Sequence, residues 1–288
     1  MTKQPRRSVL YMPANNARAL EKAQTIKADS FVFDLEDAVS EQDKVSAREQ
    51  AVQAANLDVY FGREIMIRVN GIGTPWFEGD VAAIAGSGAQ ALVVPKIESA
   101  DDIVAVRTEL AKIDRADMPL FAMLETPMAF LNAGEIAQSV GPAGGLMIGT
   151  NDLEKELGIS HRTDRLNIMT ALQTAILAAK AYGLGVLDGV YSNFQDKDGL
   201  TAECEQGRIL GFDGKTLIHP SQVDAANQAF GPSDDDLREA KAIVEAFNKA
   251  TAEGKGMATV DGRMIEALHA KQAQALIDFA TTLSLDQN

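Results

Sequence analysis

One cysteine and three histidines in 288 residues are scarce enough to exclude several chemistries. A lone Cys204 cannot close an intrachain disulfide, and a chain without one is expected in a reducing, cytoplasmic setting. Its neighbours Glu203 and Glu205 are acidic, so nothing beside the thiol favours the thiolate that a nucleophile needs. His161 and His269 stand in no motif and read as surface or structural residues. Neither a Ser-His-Asp order nor a nucleophile elbow is present. Basic residues are also in deficit, with 27 Lys and Arg against 41 Asp and Glu and a formal net charge of −14. That balance argues against nucleic acid, whose phosphates need a basic face. An anionic small molecule would need a local cluster of Arg and Lys working against the field of the whole protein. No apolar run approaches a membrane span. The basic segment Met1–Arg7 leads into Ser8–Met12, too short for the core of a signal peptide.

The remaining composition, 46% hydrophobic and 24% charged, is that of a soluble globular protein. Eight short apolar runs recur: Ser8–Met12, Ser30–Leu35, Ile65–Val69, Ala91–Pro95, Leu120–Leu124, Gly145–Ile148, Leu184–Leu187 and Thr216–Ile218. Helix-like intervals separate them, among them Ala17–Lys27, Asp43–Asn56, Ala100–Ile113 and Leu166–Ala181, the last with an apolar stripe running from Leu166 to Ala179. Strands alternating with helices imply parallel pairing through crossovers, and eight such units imply a closed (β/α)8 barrel, a TIM barrel, over residues 1–230. Residues 231–288 break the pattern. After Gly231-Pro232 and a candidate cap at Ser233, a helix is expected over Asp234–Ala252, then a tight turn at Val260–Arg263 and a last helix over Met264–Leu283. This helical extension reads equally as a cap on the barrel or as a lid or arm exchanged between subunits.

In a barrel the active site lies at the C-terminal ends of the strands. The residues after the runs are Asn15-Asn16, Asp34 with Glu36 and Asp37, Arg68 with Asn70, Lys96, Glu125, Asn151-Asp152, Asp188 and His219. Polar and charged groups at nearly every exit raise the acidic cluster above its plainer reading, a helix start with Glu36 or Asp37 at the positive end of the dipole. Glu125 and Asp152 follow adjacent runs with no Cys or His nearby, a donor set suited to a hard divalent ion. Mg²⁺ is the natural choice, with Mn²⁺ possible. Their alternative is a pair of salt-bridged acids. Arg68 could neutralise Asp34 or Glu36, clamp a substrate oxyanion, or do both.

Seven stretches in register resemble the citrate lyase β-subunit/malyl-CoA lyase family of CoA-ester lyases, which is HpcH/HpaI aldolase-like. They are Ser8–Asn16, Asp34–Asp37, Ile67–Asn70, Pro95–Glu98, Leu124–Pro127, Gly149–Asp152 and Ile218–Pro220, with Asp261–Glu266 continuing the match in the tail. The resemblance implies a cytoplasmic Mg²⁺-dependent carbon–carbon lyase that cleaves a 3-hydroxyacyl-CoA such as malyl-, methylmalyl- or citramalyl-CoA to an acyl-CoA and glyoxylate or pyruvate. It also implies a homotrimer or homohexamer whose tails complete neighbouring active sites. Metal ligands would be Glu125 and Asp152, with Asp34, Glu36 and Asp37 behind them. Arg68 would touch the reacting oxygens, Asn151 would help bind substrate, and CoA would lie along Tyr11, Asn16, Lys22, Ile218 and His219. Arg7, Arg18 and Lys22 would supply basic charge for CoA. The family's tail acid/base is an Asp, whereas this chain has Glu266, one methylene longer, with Asp261 as the competing candidate. Two other readings stay open: a malyl-CoA thioesterase, and a citrate lyase β subunit that acts on an acyl-carrier thioester within a complex.

Overall fold

The computed structural model describes residues 4–60 and 62–285. The chain divides into two compact units, one spanning Arg6–Phe230 and the other containing Gly231 and the residues after it.

In the first unit eight parallel strands close into a barrel: β1 (Ser8–Pro13), β2 (Ser30–Asp34), β3 (Glu64–Arg68), β4 (Ala91–Val94), β5 (Leu120–Leu124), β6 (Gly145–Ile148), β7 (Gly185–Asp188) and β8 (Gly214–Leu217), with β8 pairing back to β1. Each runs within a residue or two of an apolar segment visible in the sequence. Their β-branched and aromatic residues are buried on both faces, as a sheet enclosed by helices requires. Phe31, Val32 and Phe33 are all fully buried.

The period of two sorts those residues into two cores. Val9, Val32, Met66, Val93, Phe121, Met123, Met147 and Leu187 pack together inside the barrel. Their neighbours in sequence, including Leu10, Phe31, Ile65, Leu92, Leu120 and Leu146, pack outward under the helices. Carried two residues further, the inward set reaches Tyr11 from Val9, Asp34 from Val32, Arg68 from Met66 and Glu125 from Met123. The mouth of the barrel is therefore the polar continuation of its apolar core.

The same parity corrects the reading of Asp188. Leu187 points inward, so Asp188, the last residue of β7, points outward into a charged cluster. Asp188 lies in register with Lys215 of β8 and receives both oxygens' hydrogen bonds from Arg165 Nη1, at 2.7 and 2.8 Å. Lys215 Nζ reaches Asp188 at 3.2 Å and Glu203 Oε1 at 2.6 Å. Two cations and two anions make the cluster formally neutral, which offsets much of the cost of removing four charges from water. Cys204, next to Glu203, is buried, and that burial pushes its thiol up to about 11, a value that keeps it unreactive.

Smaller corrections concern helices. Leu166 is 66% exposed and precedes its helix, which spans Met169–Ala181. Two short helices that the sequence pattern did not signal, Pro127–Leu131 and Thr150–Glu156, follow β5 and β6 directly. Arg7 precedes β1 at the end of the barrel opposite the mouth and is neutralised by Asp29 at 2.7 Å, so it supplies no charge there.

The second unit opens with helix Asp234–Ala252, started by a capping box between Ser233 and Asp236, and closes with helix Ala267–Leu285 packed against it. Between them lies a hairpin that the expected last helix overran. Strand β9 (Ala258–Val260) pairs antiparallel with β10 (Arg263–Ile265). Asp261 and Gly262 make its turn with φ of +47° and +76°, the left-handed pair that a two-residue hairpin demands. Glu266 therefore sits at the junction of hairpin and helix, not within the helix. Among the described residues no helix is long and apolar enough to cross a membrane.

Candidate active site

A cavity of about 350 Å³ opens at the C-terminal ends of the strands, lined by residues including Tyr11, Asp34, Asp37, Arg68, Met123, Glu125, Asn151, Asp152, Thr216 and Ile218. Every one of these belongs to the barrel unit.

Arg68 is the cationic centre of this mouth. Asp34 and Arg68 are register partners on β2 and β3, and their side chains form a bidentate pair at 2.6 and 2.7 Å. The Asp34 oxygens also accept the backbone N–H groups of Glu36 and Ala38, so one carboxylate organises both the loop and the guanidinium. Glu36 Oε2 lies 2.9 Å from Arg68 Nη1, yet off the N–H direction, so the contact is ionic and that buried oxygen takes no hydrogen bond. Asp37 stands back at 3.6 Å and is well exposed. Below the guanidinium lies the Tyr11 ring, 4.8 Å from ring centroid to Cζ. The Tyr11 hydroxyl donates to the Met147 thioether at 3.0 Å. Burial above all, and then the surrounding carboxylates, hold that hydroxyl well above its ordinary pKa, so it stays protonated. Burial opposes the charge on Arg68, but Asp34, Tyr11 and Glu36 outweigh it and raise its pKa further.

Glu125 lines the same cavity as Arg68. It is only 1% exposed and accepts the Lys96 backbone N–H at 2.7 Å. Its carboxyl is pushed up to about 7, first by burial and next by Glu36, with Lys96 pulling down and Asp152 adding to the rise. Gly149 makes room for it: a Cβ there would stand 2.5 Å from Glu125 Cβ. Asp152 comes from the first turn of Thr150–Glu156, and among the described residues neither it nor Glu125 has an ion-pair partner.

This donor set fits a hard divalent ion. Two carboxylates that repel each other, one of them buried, are relieved by a cation between them. Among the described residues no group of three or more Asp, Glu, His or Cys is clustered to hold a metal unaided. Water and substrate oxygens would therefore complete the shell, as Mg²⁺ sites often arrange.

Other expected site residues are not brought into the cavity. Asn16 caps helix Ala17–Ala23 through its side chain, and Lys22 lies exposed in that helix's last turn. His219 sits on the rim beside Ile218, its ring stacked on Phe194 at 4.6 Å. Glu266 is exposed in the second unit, where its backbone N–H donates to His269 Nδ1 at 3.0 Å. Sequence reasoning missed Lys44, whose ammonium holds the Leu35 and Glu36 carbonyls at 2.8 and 2.7 Å. It also gave no role to Phe194 or Lys96. Only Lys96 left a trace, as a charged residue at a strand exit.

The model of the HpcH/HpaI aldolase/citrate lyase family matches residues 7–220. The chain is 46% identical to a (3S)-malyl-CoA thioesterase of Cereibacter sphaeroides over 280 residues, covering 97% of this chain and 96% of that one. It is 31% identical to a citrate lyase subunit beta of Haemophilus influenzae, covering 96% and 97%. Among solved structures, CitE from Mycobacterium tuberculosis in complex with magnesium, acetoacetate and coenzyme A superposes with a TM-score of 0.79 at 28% identity, covering 98% of this chain and 100% of that one. The chain thus belongs to the HpcH/HpaI aldolase/citrate lyase family of CoA-ester lyases, and it is an enzyme.

Proposed function

We propose that this enzyme acts on a malyl-type 3-hydroxyacyl-CoA ester, with Mg²⁺ held by Glu125 and Asp152, and that it catalyses reversible Claisen cleavage to an acyl-CoA and a 2-oxo acid. The observation that carries the reading is the pairing in one cavity of two carboxylates, Glu125 and Asp152, that have no ion-pair partner among the described residues, with a fixed guanidinium, Arg68. It is supported by the magnesium and coenzyme A named with CitE of M. tuberculosis.

Bound there, Mg²⁺ supplies Lewis-acid polarisation of the substrate's oxygens. The remaining work falls to the chain. In cleavage, the 3-hydroxyl passes its proton to water, the C2–C3 bond breaks, the oxygen becomes the carbonyl of the 2-oxo acid, and the electron pair moves to the acyl-CoA enolate. Arg68, held rigid by Asp34 and Tyr11, faces the negative charge that develops. Asp37, exposed at the rim, orients water. Glu266, delivered from the tail of a neighbouring copy in a trimer or hexamer, gives its proton to the enolate carbon, or removes the α-proton in the reverse direction. CoA runs outward past Ile218 and His219, where Arg18 and Lys22 supply positive charge on an acidic protein.

A second reading has its own observation. Kinship with the malyl-CoA thioesterase, at 46%, exceeds that with citrate lyase subunit beta, at 31%. This favours a free CoA ester over an acyl-carrier thioester, and it makes hydrolysis of malyl-CoA at the same site the direct competitor. The purified chain incubated with malyl-CoA and Mg²⁺ decides between them. Glyoxylate and acetyl-CoA in equal amounts are expected. Free malate with CoA and no glyoxylate would establish hydrolysis, and no turnover on any free CoA ester would remove both readings. The acyl substituent is a matter of pocket shape, in which one methyl changes discrimination by about 1–3 kcal/mol.

A further inference from the structure

Lys96, the residue two past the end of β4, has a backbone φ of +54°, left-handed geometry that a residue with a Cβ adopts only against resistance. Glycine would fit there without cost, so a lysine holds this geometry only if contacts of its own offset the strain. Both of its polar ends are occupied. In the left-handed conformation the backbone N–H points at Glu125 Oε1, 2.7 Å away. The ammonium meets Glu36 Oε1 at 2.5 Å. The second oxygen of Glu36 touches Arg68, so an unbroken chain of contacts crosses the mouth from Glu125 through Lys96 and Glu36 to Arg68 and Asp34.

On the metal reading given above, we propose that Lys96 is the positioning residue of this site: its backbone N–H aims the Glu125 carboxylate, and its ammonium, anchored on Glu36, holds the backbone in the conformation that does so. The ammonium has a second consequence. It holds one oxygen of Glu36 while Arg68 holds the other, so both oxygens of a carboxylate that does not line the cavity are committed to cations of the chain. Glu36 is then not free to compete for a cation at Glu125 and Asp152.

Two substitutions that both delete the ammonium separate this role from that of an ordinary surface lysine. Lys96→Gly keeps easy access to the left-handed backbone; Lys96→Ala does not, once the anchor is gone. Mn²⁺ binding, followed by the electron paramagnetic resonance of the free ion without substrate, is expected to stay near the parent's affinity in K96G and to weaken about tenfold or more in K96A. Turnover of malyl-CoA should fall about tenfold in both, and K96G should cost nothing further in a Glu36→Gln background. A lysine that served only the surface would give the opposite order, because alanine is ordinarily the milder replacement. Equal Mn²⁺ affinity in the two variants, or a K96G effect undiminished by Glu36→Gln, overturns the proposal. A parent protein that binds no Mn²⁺ instead overturns the metal assignment on which it stands.

Discussion

Replacing Glu125 by Gln should make the metal-free protein more stable at alkaline pH while ending its metal-dependent activity. In the folded protein the carboxyl is pushed from 4.5 to about 7 by burial beside Glu36 and Asp152. A raised acid stabilises the fold fully below its unfolded value and loses that contribution as pH rises through the folded one, here between 4.5 and about 7. By pH 8 the ionised carboxylate costs the fold about 3 kcal/mol relative to its protonated form. Glutamine is neutral throughout and can still accept the Lys96 N–H through its amide oxygen, so it removes the penalty without removing the hydrogen bond. The stability of E125Q relative to the parent should therefore rise by about 2–3 kcal/mol between pH 5 and pH 8. Denaturant unfolding at both values, in the presence of a chelator, measures this. Mg²⁺ at a hundred times its Kd should nearly abolish that advantage at pH 8, since it stabilises the parent by about 2.7 kcal/mol and leaves the variant unmoved. A constant difference between the two proteins across that pH range would refute the electrostatic reasoning, and equal Mg²⁺ stabilisation of both would remove Glu125 from the metal site.

The other predictions concern single contacts. Arg68→Lys cannot reproduce the bidentate grip on Asp34 or the stacking on Tyr11, so kcat/KM should fall by about 10²–10³ while near-ultraviolet circular dichroism stays native; unchanged kinetics would remove Arg68 from the chemistry. Gly149→Ala drives a methyl into Glu125 and should weaken Mg²⁺ binding by calorimetry about tenfold. Lys215→Met leaves Asp188 and Glu203 buried with Arg165 as their remaining cation, which should cost about 3–5 kcal/mol in denaturant unfolding at pH 7. Glu266→Gln should slow α-proton exchange of acetyl-CoA in deuterated buffer about a hundredfold, and full exchange would show that another group carries the proton.

Some of these residues could be read in the sequence and others could not. Glu125 stood out because it follows the apolar run Leu120–Leu124 directly, with a second acid, Asp152, after the next run and no Cys or His nearby. Asp34 and Asp188 look alike in sequence, since each ends an apolar strand. One faces into the barrel and meets Arg68, while the other faces outward and meets Arg165 and Lys215. One step of strand parity separates them, and that step depends on where each strand enters the barrel. The turn at Asp261-Gly262 was legible, but the strands β9 and β10 on either side of it were not, because three-residue strands carry too little alternation to register. The helices Pro127–Leu131 and Thr150–Glu156 are likewise too short for an apolar stripe.

The sequence alone determined the closed eightfold alternation, because buried parallel strands and amphipathic crossover helices leave distinct apolar periods. Tertiary structure alone decided which charges meet. It joined Arg68 to Asp34 through strand register, isolated Asp188 with Lys215 outside the barrel, and turned Lys96 left-handed between two glutamates. Those outcomes rest on distances of a few ångströms between residues far apart in the chain, and pairwise electrostatics at that range has no imprint on local sequence pattern.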